Sequence, residues 1–194
     1  LAALRVRIES VPDEGQRERM ADSIEDITQT LDDLLSLARV GRADADSFEA
    51  VDITALADSV VEEFEDLGEP VTLDEPENGG GRVVAKVQVT WLKRALRNLV
   101  SNAVRYGEAA RVSVLSDAQE VRIQIDDEGP GIDENRIADM LEPFTRGDAS
   151  RNRSTGGAGL GLTLARAIAE AHGGSLTLAN RSEGGLRAEI RLPA

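Results

Sequence analysis

Six apolar residues near the N-terminus, Met20, Ile24, Ile27, Leu31, Leu34 and Ala38, are spaced by 4, 3, 4, 3 and 4 residues. Only a helix brings such positions into one line, and the alternating spacing is the a/d seam of a heptad, which Leu35 widens. Upstream, Leu1, Leu4, Ile8 and Val11 repeat by 3, 4 and 3, and the intervening PDEGQ reads as a turn. The two runs predict a helical hairpin over residues 1–41 with a long second helix. Such a pair cannot bury its stripe alone, so two copies would close into a four-helix bundle. The alternative is a stripe packed against the remainder of its own chain.

GRADADS, residues 41–47, is a small polar break that places a linker at 42–47, and beyond it the pattern turns mixed. FEAVDI reads as a strand, ITALADSVVEEFEDL as an amphipathic helix, and PVTLDE and RVVAKV as short strands around PENGGG. VTWLKRALRNLVSNAVRY is a strong helix, while ARVSVLS and EVRIQID alternate with period two as half-buried strands do. GLTLARAIAEAHGG then predicts a helix, and SLTLANRS with GLRAEIRLP a closing hairpin. Neighbouring strands with segregated helices imply an α+β domain over 48–194, a two-layer α/β sandwich in which a mixed sheet carries helices on one face.

Charge and composition narrow the function. In 194 residues, 36 acidic side chains against 22 basic ones leave a formal charge of −14, which argues against nucleic acid as a partner. A negatively charged ligand must then be held by a local site working against the overall field. With 3 % aromatics the core must be Leu, Val, Ile and Ala, and with no cysteine thiolate chemistry is excluded. No apolar run approaches the roughly 20 residues of a membrane span, so no membrane contact is expected of these residues. The chain opens on Leu1 in helical pattern, as a piece of a longer protein would.

Three segments carry residues suited to chemistry. In WLKRALRNLVSNAVRY, Leu92, Leu96, Leu99, Val100 and Ala103 form the core stripe, and Asn98, Asn102 and Arg105 share a neighbouring one. Asparagine is unfavourable inside a helix, yet its amide oxygen suits a hard cation such as Mg2+. A solvated polar face explains that helix equally well. In VRIQIDDEGPGI, parity puts Asp127 on the inner strand face with Val121, Ile123 and Ile125, and Asp126 on the outer face. A buried carboxylate needs a donor, and the GPG turn from Gly129 to Gly131 leaves room for a ligand to supply it. An acidic hairpin turn is the plainer alternative. The third segment, LEPFTRGDASRNRSTGGAGLGL, steps its glycines at 157, 159 and 161, which fits neither a P-loop nor a dinucleotide fingerprint. Glycines opening a helix nevertheless expose N–H groups that favour phosphate, and Arg146, Arg151 and Arg153 add local positive charge.

Taken in order, NLVSNAVRYG, DEGPGI, LEPFTRG and GGAGLGL resemble the N, G1, F and G2 boxes of sensor histidine kinases. Those kinases belong to the ATP-binding superfamily that includes gyrase, HSP90 and MutL. The resemblance runs from about Phe48 to Ala194, and the hairpin is similar to that family's dimerisation and phosphotransfer domain. It implies that Asn102 and Asn98 hold Mg2+, that Arg105 faces the phosphates, and that Tyr106 lies against adenine. Asp127 would accept the adenine amino group in a pocket shaped by Gly129, Gly131 and Ile132. Residues from Phe144 to Gly157 would form a mobile lid, with Arg146 and Arg151 toward the nucleotide. Gly157, Ala158, Gly159 and Gly161 would admit the triphosphate, with Leu160 and Leu162 anchoring the hinge.

The resemblance also implies a division of labour. Gyrase-like members carry a water-activating glutamate four residues before the metal-binding asparagine; here that position is Asn98, which favours transfer to an acceptor over hydrolysis. The phosphoacceptor histidine and its adjacent acid would lie upstream of Leu1, so no catalytic residue is expected in this chain, and His172 has a structural equivalent. Partners implied are a second copy through the hairpin and a response-regulator receiver domain. The setting implied is the cytoplasmic portion of a bacterial sensor anchored in the inner membrane. An ATPase of the same superfamily and a non-catalytic nucleotide-binding dimer module are the alternatives.

Overall fold

A computed structural model describes residues 13–40, 47–74, 82–145 and 159–194. The first half of the expected hairpin and the linker, apart from Ser47, lie outside the described residues.

Helix α1 runs Glu14–Leu37. Asp13 caps it, Oδ1 accepting from the Gln16 N–H at 2.7 Å, with Glu14 complementing the helix dipole in the first turn. The described part of PDEGQ, residues 13–16, is therefore a cap and first turn, a correction to the expected turn: the aspartate cap outweighs the single glycine. Along the seam, Met20, Ile27, Leu31, Leu34 and Leu35 are all exposed. The helix docks on its own chain through a different edge, where Asp33 and Ser36 are buried. Asp33 accepts from Arg94 at 3.0 Å and from Gln29 at 3.0 Å, and Leu37 and Val40 pack at the core's margin.

The remaining elements are β1 (Glu49–Asp52), α2 (Ile53–Glu65), β2 (Val71–Leu73), β3 (Val84–Val87) and α3 (Val89–Gly107). They continue with β4 (Ala110–Ser116), β5 (Glu120–Asp127), α4 (Gly161–Ala171), β6 (Ser175–Asn180) and β7 (Leu186–Pro193), with 3-10 turns at Glu134–Arg136 and Asp139–Leu141. The main sheet has the order β2-β4-β5-β7-β6, with β2 and β4 parallel and every other pair antiparallel. β1 and β3 form their own antiparallel ladder beside it. Register matches the pleat: Val112, Ile125 and Ala188 lie abreast, as do Val114, Ile123 and Ile190, so the inner face is a continuous apolar surface. Leu92, Leu96 and Leu99 of α3 and Leu164 and Ile168 of α4 close over it, all nearly inaccessible to solvent. As composition requires, the buried apolar residues are Leu, Val, Ile and Ala.

His172 caps α4 and pins it to the start of α3. Its Nε2 accepts the Gln88 N–H at 3.0 Å, which leaves Nδ1 to donate to the Ile168 carbonyl at 2.7 Å. The ring is a neutral tautomer by that geometry, packed 5.1 Å from Phe48.

The outer sheet face is polar but not bare. Asp126 points outward as parity requires, yet it is only 6 % exposed. Arg187 grips it with two bonds of 2.7 and 2.6 Å, and the Arg181 Nε lies 3.3 Å away. Nearby, Glu189 accepts from Gln124 at 2.5 Å and Arg191 at 2.7 Å. Burial pushes the Glu189 carboxyl up, but those two bonds outweigh it and hold it below the usual range.

Candidate nucleotide-binding site

Helix α3 ties together the two halves of the site. Its last residues, Tyr106 and Gly107, lie against the end of β5. Asn102 and Asn98 lie about one and two turns earlier, against the start of α4. From residue 98 to 107 the helix rises about 13 Å, a span suited to a base at one end and phosphates at the other.

At the β5 end, Asp127 Oδ1 accepts the N–H groups of Gly129 at 2.9 Å and Leu186 at 3.0 Å. That oxygen is thus satisfied within the chain by two backbone N–H groups. The second oxygen, Oδ2, takes no hydrogen bond from any described residue. Glycines press in around this carboxylate. A Cβ on Gly107 would lie 2.4 Å from the Asp127 Cβ, and one on Gly129 would lie 2.6 Å from the Tyr106 carbonyl oxygen. The turn beyond is clamped by Asn180, whose Oδ1 accepts the Ile132 N–H at 2.8 Å while Nδ2 donates to the Ile132 carbonyl at 2.6 Å. Gly131 adopts φ +72° there, and a Cβ would strike the same amide at 2.6 Å.

At the other end, α4 begins on Gly161 with Leu160 as N-cap and no side-chain cap bond among the described residues. Orphan N–H groups at the positive end of a helix dipole suit an anion. Asn98 and Asn102 face this end, and the Asn98 amide nitrogen donates to the Gly161 carbonyl at 3.4 Å. Leu160 is buried, and Leu162 is half-buried and packs at the core's edge. Thr145 and Gly159 meet: Gly159 has φ +71°, and a Cβ there would lie 2.5 Å from the Thr145 carbonyl oxygen. Phe144 is exposed with φ +62°.

Asn98, Asn102, Gly159, Leu160, Gly161 and Leu162 therefore gather beside the middle of α3, and Tyr106, Asp127, Gly129, Gly131 and Ile132 at its C-terminal end. Arg105 and Tyr106 have exposed side chains at the helix's last turn. Arg146, Arg151, Arg153, Gly157 and Ala158 lie outside the described residues. Gly107, Asn180, Arg181, Gly185 and Leu186 belong to the site's frame without having been singled out in the sequence. The glycine pair of RSEGGL was the available signal; at Gly185 a Cβ would lie 1.9 Å from the Asp127 carbonyl oxygen. For a cation, Asn102 offers a hard amide oxygen beside the orphan N–H groups. That is a fit for Mg2+ sharing its coordination with phosphate and water.

Comparison with known proteins follows the same lines. The family described as histidine kinase-, DNA gyrase B-, and HSP90-like ATPase matches residues 87–194. The sensor histidine kinase GtrS of Pseudomonas aeruginosa is 34 % identical over 202 aligned residues, covering 100 % of this chain and 39 % of GtrS. The chain spans less than half the length of the curated relatives it matches. Among solved structures, the ATP-binding domain of PrrB from Mycobacterium tuberculosis superposes with a TM-score of 0.62 at 28 % identity, over 76 % of this chain and 98 % of that one. Full-length ShkA in complex with AMPPNP superposes with a TM-score of 0.70 at 25 % identity, over 95 % of this chain and 39 % of that one.

Proposed function

Because this chain belongs to the histidine kinase-, DNA gyrase B-, and HSP90-like ATPase family, we propose that its cleft binds Mg-ATP as the catalytic core of a sensor histidine kinase. The γ-phosphoryl group would pass to a histidine and from there to an aspartate of a response-regulator receiver domain. The observation that carries this reading is Asp127: one carboxylate oxygen is saturated by two backbone N–H groups, the other takes no bond from any described residue, and glycines pack closely around the group. That arrangement suits the exocyclic amine of adenine.

The residues divide as the cleft's two ends suggest. Asp127 orients the base, with Gly107, Gly129, Gly131 and Ile132 excluding side chains from its plane and Tyr106 beside it. The N–H groups at the start of α4 receive phosphate, with Arg105 near the same helix face. Asn102, with Asn98 beside it, holds Mg2+, which would neutralise charge developing on the transferred group. Asn98 has no carboxylate to take a proton, and its amide is engaged with Gly161, so activation of water is disfavoured. His172 is not the acceptor: both ring nitrogens are committed in a buried contact. Phe144, Arg146 and Arg151, with Gly157 and Ala158, would belong to the segment that covers the nucleotide. The exposed seam of α1 favours pairing with a second copy. No helix among the described residues is long and apolar enough to cross a membrane. The resemblance to sensor histidine kinases implies the cytoplasmic part of a membrane-anchored bacterial sensor, and relatives with that name come from Pseudomonas aeruginosa and Escherichia coli.

Asp127→Asn tests the adenine contact. Asparagine would turn its oxygen to the two N–H groups and so present a donor to the base amine. Losing a charge-assisted bond costs about 1.5–3 kcal/mol, roughly a 10- to 150-fold weaker Kd for Mg-ATP by calorimetric titration. An unchanged Kd sinks the assignment.

A further inference from the structure

Asp127 is held from behind as well as from within the cleft. The Arg181 Nη1 donates to the Asp127 backbone carbonyl at 2.6 Å, and its Nε lies 3.3 Å from Asp126 Oδ2. One guanidinium, 17 % exposed, therefore joins the peptide of the base-facing aspartate to a carboxylate on the opposite sheet face. Arg187 completes the cluster by gripping Asp126 without touching Asp127. The β6–β7 turn does not require an arginine here. It is closed by backbone bonds, the Arg181 N–H to the Gly185 carbonyl at 3.0 Å and the Gly184 N–H to the Arg181 carbonyl at 3.1 Å. Within the turn the side chain makes only a long 3.4 Å contact to the exposed Glu183, and its shorter bonds go to Asp127 and Asp126.

We infer that Arg181, anchored by Asp126, is a positioning residue for recognition of the adenine amine. Asp127 Oδ1 is fixed by two N–H groups, so the direction of Oδ2 is set by how the Asp127 peptide is seated. Arg181 seats that peptide through its carbonyl, while the Leu186 N–H from the same hairpin holds the carboxylate. Without the guanidinium, the carbonyl loses a charge-assisted donor and the peptide is free to tilt, which turns Oδ2 away from the amine. Arg181 and Asp126 also border an open cavity of about 200 Å3 on the outer face, so shortening the arginine need not leave a closed void. The inference rests on the reading of Asp127 given above.

The test compares Mg-ATP with the purine riboside triphosphate that lacks the 6-amino group, titrated calorimetrically into the full chain. A charge-assisted bond to the amine predicts that the wild type prefers ATP by about tenfold or more. Arg181→Gln should cut that preference by about fivefold while changing the Kd of the deaminated nucleotide less than about twofold. Arg187→Gln should lower thermal stability yet keep the preference, because it leaves the Asp127 carbonyl bond in place. Arg181→Lys, which can still donate to the carbonyl, should restore part of the preference, and it decides the matter if Arg181→Gln does not fold. Equal preference in wild type and Arg181→Gln overturns the inference, as does an equal loss in Arg187→Gln. A wild type with no preference at all refutes the Asp127 assignment itself and takes this inference with it.

Discussion

Alanine at Gly184 and alanine at Gly185 are neighbouring changes with very different expected consequences. Both glycines hold positive φ, +98° and +87°, where an L side chain is strained by about 1–2 kcal/mol. A Cβ on Gly184 meets nothing within 4 Å, whereas one on Gly185 would sit 1.9 Å from the Asp127 carbonyl oxygen and 3.2 Å from its Oδ1. Relieving that overlap requires moving the hairpin or the Asp127 peptide, and overpacking of this kind adds about 1–3 kcal/mol. The totals are about 1–2 kcal/mol for Gly184→Ala and about 2–5 kcal/mol for Gly185→Ala. At about 2–4 °C per kcal/mol for a chain of this size, the first lowers Tm by a few degrees and the second by roughly 10 °C. Nucleotide binding should separate them more sharply. Gly184→Ala should keep its Kd for Mg-ATP, while Gly185→Ala should weaken it at least about tenfold, since the displaced group is the one that fixes the base contact. Differential scanning fluorimetry and isothermal titration on the two variants are sufficient. Equal Tm losses, or a Gly185→Ala variant with wild-type affinity, would refute the claim that this turn is moulded to Asp127.

Two further changes probe features away from the nucleotide. His172→Ala removes the acceptor of the buried Gln88 N–H and the packing on Phe48, so urea unfolding should show a loss of about 2–4 kcal/mol with the Kd for Mg-ATP unchanged. A large loss of affinity instead would mean that His172 serves the site. Glu189, whose folded-state carboxyl is held below its ordinary value of 4.5, takes up a proton later than it would in the unfolded chain. Its contribution to stability is complete above that ordinary value and fades as pH falls through the depressed one. Glu189→Gln should therefore be less stable than wild type at neutral pH and converge with it in acid. Tm curves that stay parallel down the acid limb would contradict the account.

What could be read from the residues and what could not divide along sequence distance. The strands show in the alternation of ARVSVLS and EVRIQID, and the core stripe of α3 in its 3.6-residue spacing, because each signal is local. The same parity placed Asp127 inward. It could not foresee that Asp126, on the outward side, would also be buried, since Arg187 reaches it from 61 residues away. The Asn180 clamp on Ile132 joins positions 48 residues apart, and Leu186 reaches Asp127 across 59. Gly107 and Gly185 look like ordinary punctuation until the chain folds and an aspartate lies where their side chains would be. PDEGQ failed in a more local way: Asp13 as a cap and Gly15 as a breaker compete, and only the capping bond decides between them.

The mounting of α1 has a thermodynamic consequence. The helix meets its own chain mainly through Asp33, Ser36 and the Arg94 ion pair, with Leu37 and Val40 as the hydrocarbon at the joint. Lifting it away would expose little apolar surface, so the step would carry almost no heat-capacity change and little urea dependence. The cost sits in an ion pair with the arginine 30 % and the aspartate 9 % accessible, so that joint should weaken with ionic strength. Separating two copies along the Met20–Leu34 stripe would do the reverse: a large heat-capacity change and indifference to salt. Calorimetry in low and high salt would thus assign a measured opening to one joint or the other.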